Sequence, residues 1–535
     1  MNEASTAAAA APARIGAREL KRWLHDGAEI ALLDVREHGQ YGEAHIFLCV
    51  SLPYSRLESD IQRLVPRIGT RIVIYDDGAE GVAPGLAERA AVRLTALGYE
   101  HVFILEGGAP AWREAGFQLF AGVNVRSKTF GEQAELSFHT PRISARELSD
   151  RLVRGDDLVV LDGRPVDEYR KMSIPTAVCC PNGELALRAD LLAPNPSTTI
   201  VVNCAGRTRS IIGAQTLIDL GLPNPVFALE NGTQGWFLED LPLDHGADRF
   251  YPAPPADERL PELRRRALDF AARWQVPFVH ADTVDTWLTD SGRTTYLCDV
   301  RTPEEFAAGS LPRAQSTPGG QLIQATDQFI GTCGARLVVF DSEGVRAPVI
   351  AARLRQMGWD AQVLVEGAAA HLSPLHERPL PLPLPLLRTV SADALAGMDG
   401  ILLLDLRSSS AYRKGHLKGA VWTIRPLLAS LALPSGMRVV LIADTAETAR
   451  LAALDLAERG VHDPLLHVAD SKAWAAAGLA VEATPVLPAD SNCIDFLFFV
   501  HDRHQGNKEA ARRYLAWETN LLSQIDSEER EAFRI

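Results

Sequence analysis

Cysteine is scarce in this sequence, with seven in 535 residues, an odd number without regular spacing. That excludes a disulfide-framework protein and fits a reducing compartment, so a cytoplasmic location is expected. Long apolar runs are also missing. None reaches the roughly 18–20 residues a membrane-spanning helix needs, so no membrane partner is expected. The opening stretch MNEASTAAAAAPARIG lacks the basic and Leu-rich segments of a secretory signal and reads as an Ala-rich leader. Positive charge is in deficit, 54 Lys+Arg against 68 Asp+Glu for a formal net charge of −14. This argues against a nucleic-acid-binding surface. What remains is an ordinary globular balance, 47% hydrophobic and 23% charged, long enough for about three to five domains at roughly 100–200 residues each.

The chain repeats itself. RIGARELKRWL (14–24), RISARELSDRL (142–152), FVHADTVDTWL (278–288) and RTVSADALAGM (388–398) occupy one slot, a short helix entered through a small residue. Each is followed by an apolar strand ending in Asp-x-Arg: Asp34/Arg36, Asp162/Arg164, Asp299/Arg301 and Asp405/Arg407. A strand, loop and helix come next, in RIVIYDDGAEG, TIVVNCAGRTR, RLVVFDSEGVR and RVVLIADTAET. LEGGAPAW, LENGTQGW, VEGAAAHL and VADSKAW close the units, and their Trp or Leu is expected to anchor a core. Short apolar runs alternating with helical patterns predict parallel sheets covered on both faces.

These four signatures, in this order, resemble the rhodanese homology domain. The resemblance implies four tandem α/β domains, each a parallel sheet flanked by helices, at 12–122, 138–248, 272–378 and 386–482. A C-terminal helical tail is expected at 486–535. In the tail, Tyr514, Leu515, Trp517, Leu521 and Leu522 suit a helix with one apolar side that docks on the catalytic unit or staples distant units. His501, Asp502 and His504 are too sparse for a metal site, and no metal or other cofactor is expected. Between the units, 250–277 reads as a Pro-rich linker leading into an amphipathic helix, and RPLPLPLPLLR (378–388) as a stiff extended connection.

Aligned on the third signature, Cys204 stands opposite Asp76, Asp341 and Ala443, and Arg209 opposite Gly81, Arg346 and Thr448. Only the second unit, in Cys204-Ala-Gly-Arg-Thr-Arg209, keeps a nucleophile. A thiol attacks as its thiolate. Three features should favour that form: the start of the following helix, a loop that Gly206 lets curl into an anion nest, and the guanidinium groups of Arg207 and Arg209. Cys204 is therefore the expected catalytic residue. Arg209, Arg207, Gly206, Ala205, Thr208 and Ser210 are expected to bind substrate, with Glu184 and Arg188 at the pocket mouth. Cys179 and Cys180 read either as buried strand residues or as a resolving thiol. The Asp-x-Arg pairs recur in units without a nucleophile, which favours a structural ion pair.

By the resemblance, the loop implies a sulfurtransferase. Tyrosine phosphatases space Cys and Arg one residue wider, which makes a phosphatase or arsenate reductase the less favoured reading. The basic loop is similar to the thiosulfate type. Sulfane sulfur would pass from a small anionic donor through a Cys204 persulfide to cyanide, a thiol or a protein acceptor. A carrier scaffold that relays the persulfide to a protein is the alternative. The inactive units could form a frame, a homo-oligomer interface or a wall around the active loop.

Overall fold

The computed structural model describes residues 12–78, 85–374, 384–434, 436–498 and 507–535. The Ala-rich leader, Gly81, most of the Pro–Leu stretch and the His501/Asp502/His504 cluster lie outside the described residues. The chain divides into two compact units. One comprises Met1–Arg22, Ala31–Ala121 and Arg378–Phe498, and the other Trp23–Ile30, Gly122–Glu377 and Phe499–Ile535.

The first unit holds a five-stranded parallel sheet in the order Ala13–Ile15, His101–Leu105, Arg71–Tyr75, Ala31–Asp34, Val50–Ser51. Its central strand is apolar without alternation, because helices cover both faces. Ile72, Val73, Ile74 and Tyr75 are all fully buried. A second parallel sheet runs Val421–Trp422, Ile401–Asp405, Arg438–Ala443, Leu465–Val468. It has four strands; at the position of a fifth, Thr389 makes only a single parallel bridge to Leu466. Buried charge joins the two sheets of this unit, where the Arg425 guanidinium donates to Glu58 and Asp455.

The second unit repeats the five-stranded order twice. One sheet is Arg142–Ile143, Val226–Leu229, Thr199–Asn203, Leu158–Asp162, Val178–Cys179. The other is Phe278–Val279, Asp360–Leu364, Arg336–Phe340, Thr295–Asp299, Gln315–Ser316. Their domains meet backbone to backbone. A Cβ on Gly183 would lie 2.7 Å from the Gly320 nitrogen, and one on Gly320 would lie 2.9 Å from the Gly183 nitrogen. The expected amphipathic helix is present at Leu260–Arg273, with Leu263, Ala267, Phe270 and Ala271 buried.

A helix that the sequence pattern did not reveal, Val125–Phe138, packs against the helix Thr208–Asp219. Its hidden face carries Ser127, Lys128, Thr129 and Glu132 beside Phe130 and Ala134, so no apolar period marks it. The tail forms the helices Lys508–Thr519, Leu521–Gln524 and Ser527–Glu531. Within this unit the first of them buries Ala510, Ala511, Tyr514, Leu515 and Glu518, and the side expected to be apolar includes that carboxylate. Among the described residues no helix is long and apolar enough to cross a membrane.

Candidate active site

In sheets of this topology, ligand sites form beyond the carboxyl ends of the strands. Cys204 stands there, directly after Thr199–Asn203. Asn203 is fixed by donating to Asp162 (2.8 Å). Two backbone bonds then hold the loop, with the Thr233 and Gln234 N–H groups donating to the carbonyls of Cys204 (2.8 Å) and Ala205 (3.1 Å). They require close approach by Gly232. At φ +53°, a Cβ there would come within 2.2 Å of the Cys204 carbonyl oxygen, which only glycine avoids.

The helix Thr208–Asp219 follows. Ile211 N–H donates to the Arg207 carbonyl, so the N–H groups of Thr208, Arg209 and Ser210 precede the first intrahelical bonds and face the loop. The Cys204 thiol lies 3.6 Å from the Ser210 hydroxyl, which donates to the Arg207 carbonyl (2.7 Å). Cys204 is 2% exposed. It opens on a cavity of about 560 Å³, whose walls include Gln234, Phe237, Gln324, Tyr514 and Glu518. Tail residues therefore wall the cavity; Glu518 accepts from Thr208 Oγ1 at 2.9 Å.

Arg207 and Arg209 border this cavity, but carboxylates already hold both. Arg209 pairs with Glu168 at 2.7 and 2.8 Å. Arg207 donates to Glu132 at 2.7 and 2.9 Å and also to Glu135. Burial pushes the Glu132 carboxyl up to about 7; Arg207 opposes the rise, and Glu518 and Glu135 add to it. Both guanidinium groups therefore reach the cavity already paired with carboxylates. Sequence reading missed Glu132, Glu135, Glu168, Gln234 and Glu518, because their approach to the loop is purely tertiary.

Glu184 and Arg188 are not at the pocket mouth. Both are 3% exposed and bond each other (3.1 Å), while Glu184 accepts from Arg346 (2.8 Å) and Arg188 donates to the Pro252 carbonyl (2.7 Å). They are buried counter-charges where the two domains of this unit meet. Cys179 and Cys180 point into cores on opposite faces of their strand. Burial pushes the Cys179 thiol up to about 12 and the Cys180 thiol well above its usual value. Neither borders the cavity, so the geometry gives no support to a resolving role. The Asp-x-Arg pairs are alike in all four sequence repeats, with N–O distances of 2.6, 2.7, 2.6 and 2.6 Å. Each arginine also donates to the carbonyl eight residues on, at Ala44, Met172, Gly309 and Gly415. They brace the strand end.

The loop after Phe340 in the same unit occupies the equivalent place between strand and helix. The residues just before the two helices, Arg207 and Val345, have similar dihedrals (φ −115°, ψ −56° and φ −118°, ψ −52°), with Val345 one place later in a loop one residue longer. Here the Asp341 carboxylate fills the loop. It accepts N–H bonds from Gly344 (3.0 Å), Val345 (2.9 Å), Arg346 (2.7 Å) and Ala347 (3.3 Å). In the first unit Asp76 similarly accepts from Gly78 and Ala87.

The chain belongs to the rhodanese family. The family model for the rhodanese-like domain matches residues 16–115, 144–239 and 280–371. Over 98% of its length the chain is similar to the crystal structure of a thiosulfate sulfurtransferase from Pseudomonas aeruginosa, at 40% identity, with a TM-score of 0.87 and 99% of that chain covered. A rhodanese-related protein from Thermoplasma volcanium is 28% identical over 19% of this chain and 97% of its own, with a TM-score of 0.17. No curated protein sequence matches. The chain is thus a rhodanese-type enzyme.

Proposed function

We propose that this enzyme moves sulfane sulfur from thiosulfate, through a persulfide on Cys204, to a nucleophilic acceptor such as cyanide or a thiol. The Cys204 thiolate attacks the outer sulfur of thiosulfate. The new Sγ–S bond forms as the bond to the sulfonate sulfur breaks, and sulfite leaves with the electron pair. The acceptor then takes the outer sulfur and returns Cys204 to its thiolate, a two-step covalent route.

The observation that carries this reading is the Asp341 loop. At the equivalent place between strand and helix, four N–H groups converge on an anion, the charge that a thiolate or persulfide bears. The N–H groups of Arg207, Thr208, Arg209 and Ser210 would do the same over Cys204. The similarity to the Pseudomonas aeruginosa protein supports thiosulfate as donor. The small exposure of Cys204 favours a small acceptor over a protein one. In the same reading the four sheets mark four rhodanese-type domains at the boundaries expected above, with one nucleophile among them.

Intact-mass analysis after thiosulfate exposure tests the proposal. Wild type should gain one sulfur atom, lost on adding cyanide, and Cys204→Ser should gain none. An unmodified wild type, or equal modification of the variant, overturns it.

A further inference from the structure

The cavity over Cys204 exceeds what its proposed donor needs. At about 560 Å³ it matches pockets that hold organic ligands, whereas thiosulfate is a small inorganic ion. Its wall is also rich in unused hydrogen-bond acceptors. Asn124 Oδ1, Gln234 Oε1, Gln324 Oε1 and Glu518 Oε2 belong to residues that line it, and each is buried without a hydrogen-bond partner. The Gln234 Nε2 donor is similarly unpaired. Buried polar groups are almost always satisfied, and a cluster of unsatisfied ones beside a cavity calls for a missing partner.

Glu518 is the most telling member, because a carboxylate oxygen can only accept. Its Oε1 takes the Thr208 hydroxyl. Its Oε2 lies over the catalytic loop, 2.9 Å from where a Cβ on Gly206 would stand, with Gln234 Nε2 3.7 Å from the same point. Of the cations lining the cavity, Arg207 is paired with Glu132 and Glu135, Arg209 with Glu168 and Arg164 with Asp162, while Lys128 donates to the Val123 carbonyl (2.6 Å) and Lys171 also lines the wall. A carboxylate in this place would attract an ammonium group.

We propose that Glu518, with Gln234 and Gln324, forms an ammonium-recognising subsite, and that the acceptor discharging Cys204 is a small thiol bearing a protonated amine. This rests on the persulfide reading above. With the ammonium at Glu518, the thiolate end of the acceptor forms a bond to the outer persulfide sulfur. The Sγ–S bond breaks, its electron pair stays on Cys204, and the acceptor leaves as its own persulfide with the ammonium proton unmoved.

The experiment loads full-length wild type and Glu518→Gln with thiosulfate and counts the added sulfur by intact mass. Discharge by cysteamine, 2-mercaptoethanol and 3-mercaptopropionate is then timed at equal thiolate concentration. For wild type, cysteamine should outpace 2-mercaptoethanol by about tenfold, as one charge-assisted hydrogen bond allows, with 3-mercaptopropionate slowest. Glu518→Gln should lose most of that advantage. Equal rates for the three thiols in wild type overturn the subsite without any variant, and an undiminished preference in Glu518→Gln does so too. A wild type that takes up no sulfur overturns the persulfide reading itself, and the subsite proposal falls with it.

Discussion

The loops after Asn203 and after Phe340 occupy equivalent places between strand and helix and differ in what fills them. Around Asp341 the cradle is closed by the chain's own carboxylate, and four N–H groups are spent on it. Around Cys204 a thiol stands at the same position, and the cavity lies open above it. The following arginine is treated alike in both. Arg346 is held by Glu305 at 2.7 and 2.8 Å, as Arg209 is by Glu168. The anion-binding geometry therefore belongs to the backbone, and the paired arginine brings the strand–loop–helix unit together whether or not chemistry follows. The side chain at the strand end, a thiol in one loop and a carboxylate in the other, is the difference that bears on chemistry.

The most severe way to break this comparison is to turn the reactive loop into the other. Cys204→Asp should reduce sulfur transfer to background while raising the melting temperature by roughly 2 °C, because the new carboxylate gains the loop N–H groups. Lost activity with a lowered melting temperature would mean that the two cradles are not equivalent. Emptying the structural loop comes next. Asp341→Ala should cost about 2–4 kcal/mol in denaturant unfolding, since buried N–H groups lose a charged acceptor, while thiosulfate-dependent labelling of Cys204 persists. An unchanged unfolding midpoint would refute the structural role.

The smallest expected effect concerns the carboxylates around Arg207. Folding raises the Glu132 carboxyl from its usual 4.5 to about 7. The folded chain thus holds a proton that the unfolded chain has released, and stability falls as pH climbs between those values. Relative to Glu132→Gln, wild type should lose about 1 kcal/mol between about pH 5 and about pH 8. A flat difference across that range would show that Arg207 keeps Glu132 ionised.

The parts of this architecture that are local in sequence could be read from sequence. Apolar strands ending in Asp-x-Arg, each followed by a loop and helix, announce parallel sheets. A thiol between such a strand and helix announces Cys204. The arginines could be placed at the loop but not paired, because charge on a sequence says nothing of the partner that folding supplies. Arg207 meets Glu132 and Glu135 from a helix more than 70 residues earlier, a helix concealed by polar residues on its buried face. Glu184 looked like a loop residue beside the active unit, yet it is the counter-charge of Arg346, 162 positions away. Glu518 sits 310 positions from Thr208 on a helix whose apolar side gave no reason to bury a carboxylate.

The contact between Gly183 and Gly320 sets a rule for how this unit can change over time. Each glycine occupies the space in which the other's side chain would begin, so neither position can accept a larger residue while the other stays where it is. The domain that carries Cys204 and its neighbour are tied together at that point. A substitution at Gly320 is thereby felt at Gly183, in the domain that carries Cys204, which gives selection a reason to preserve the two together.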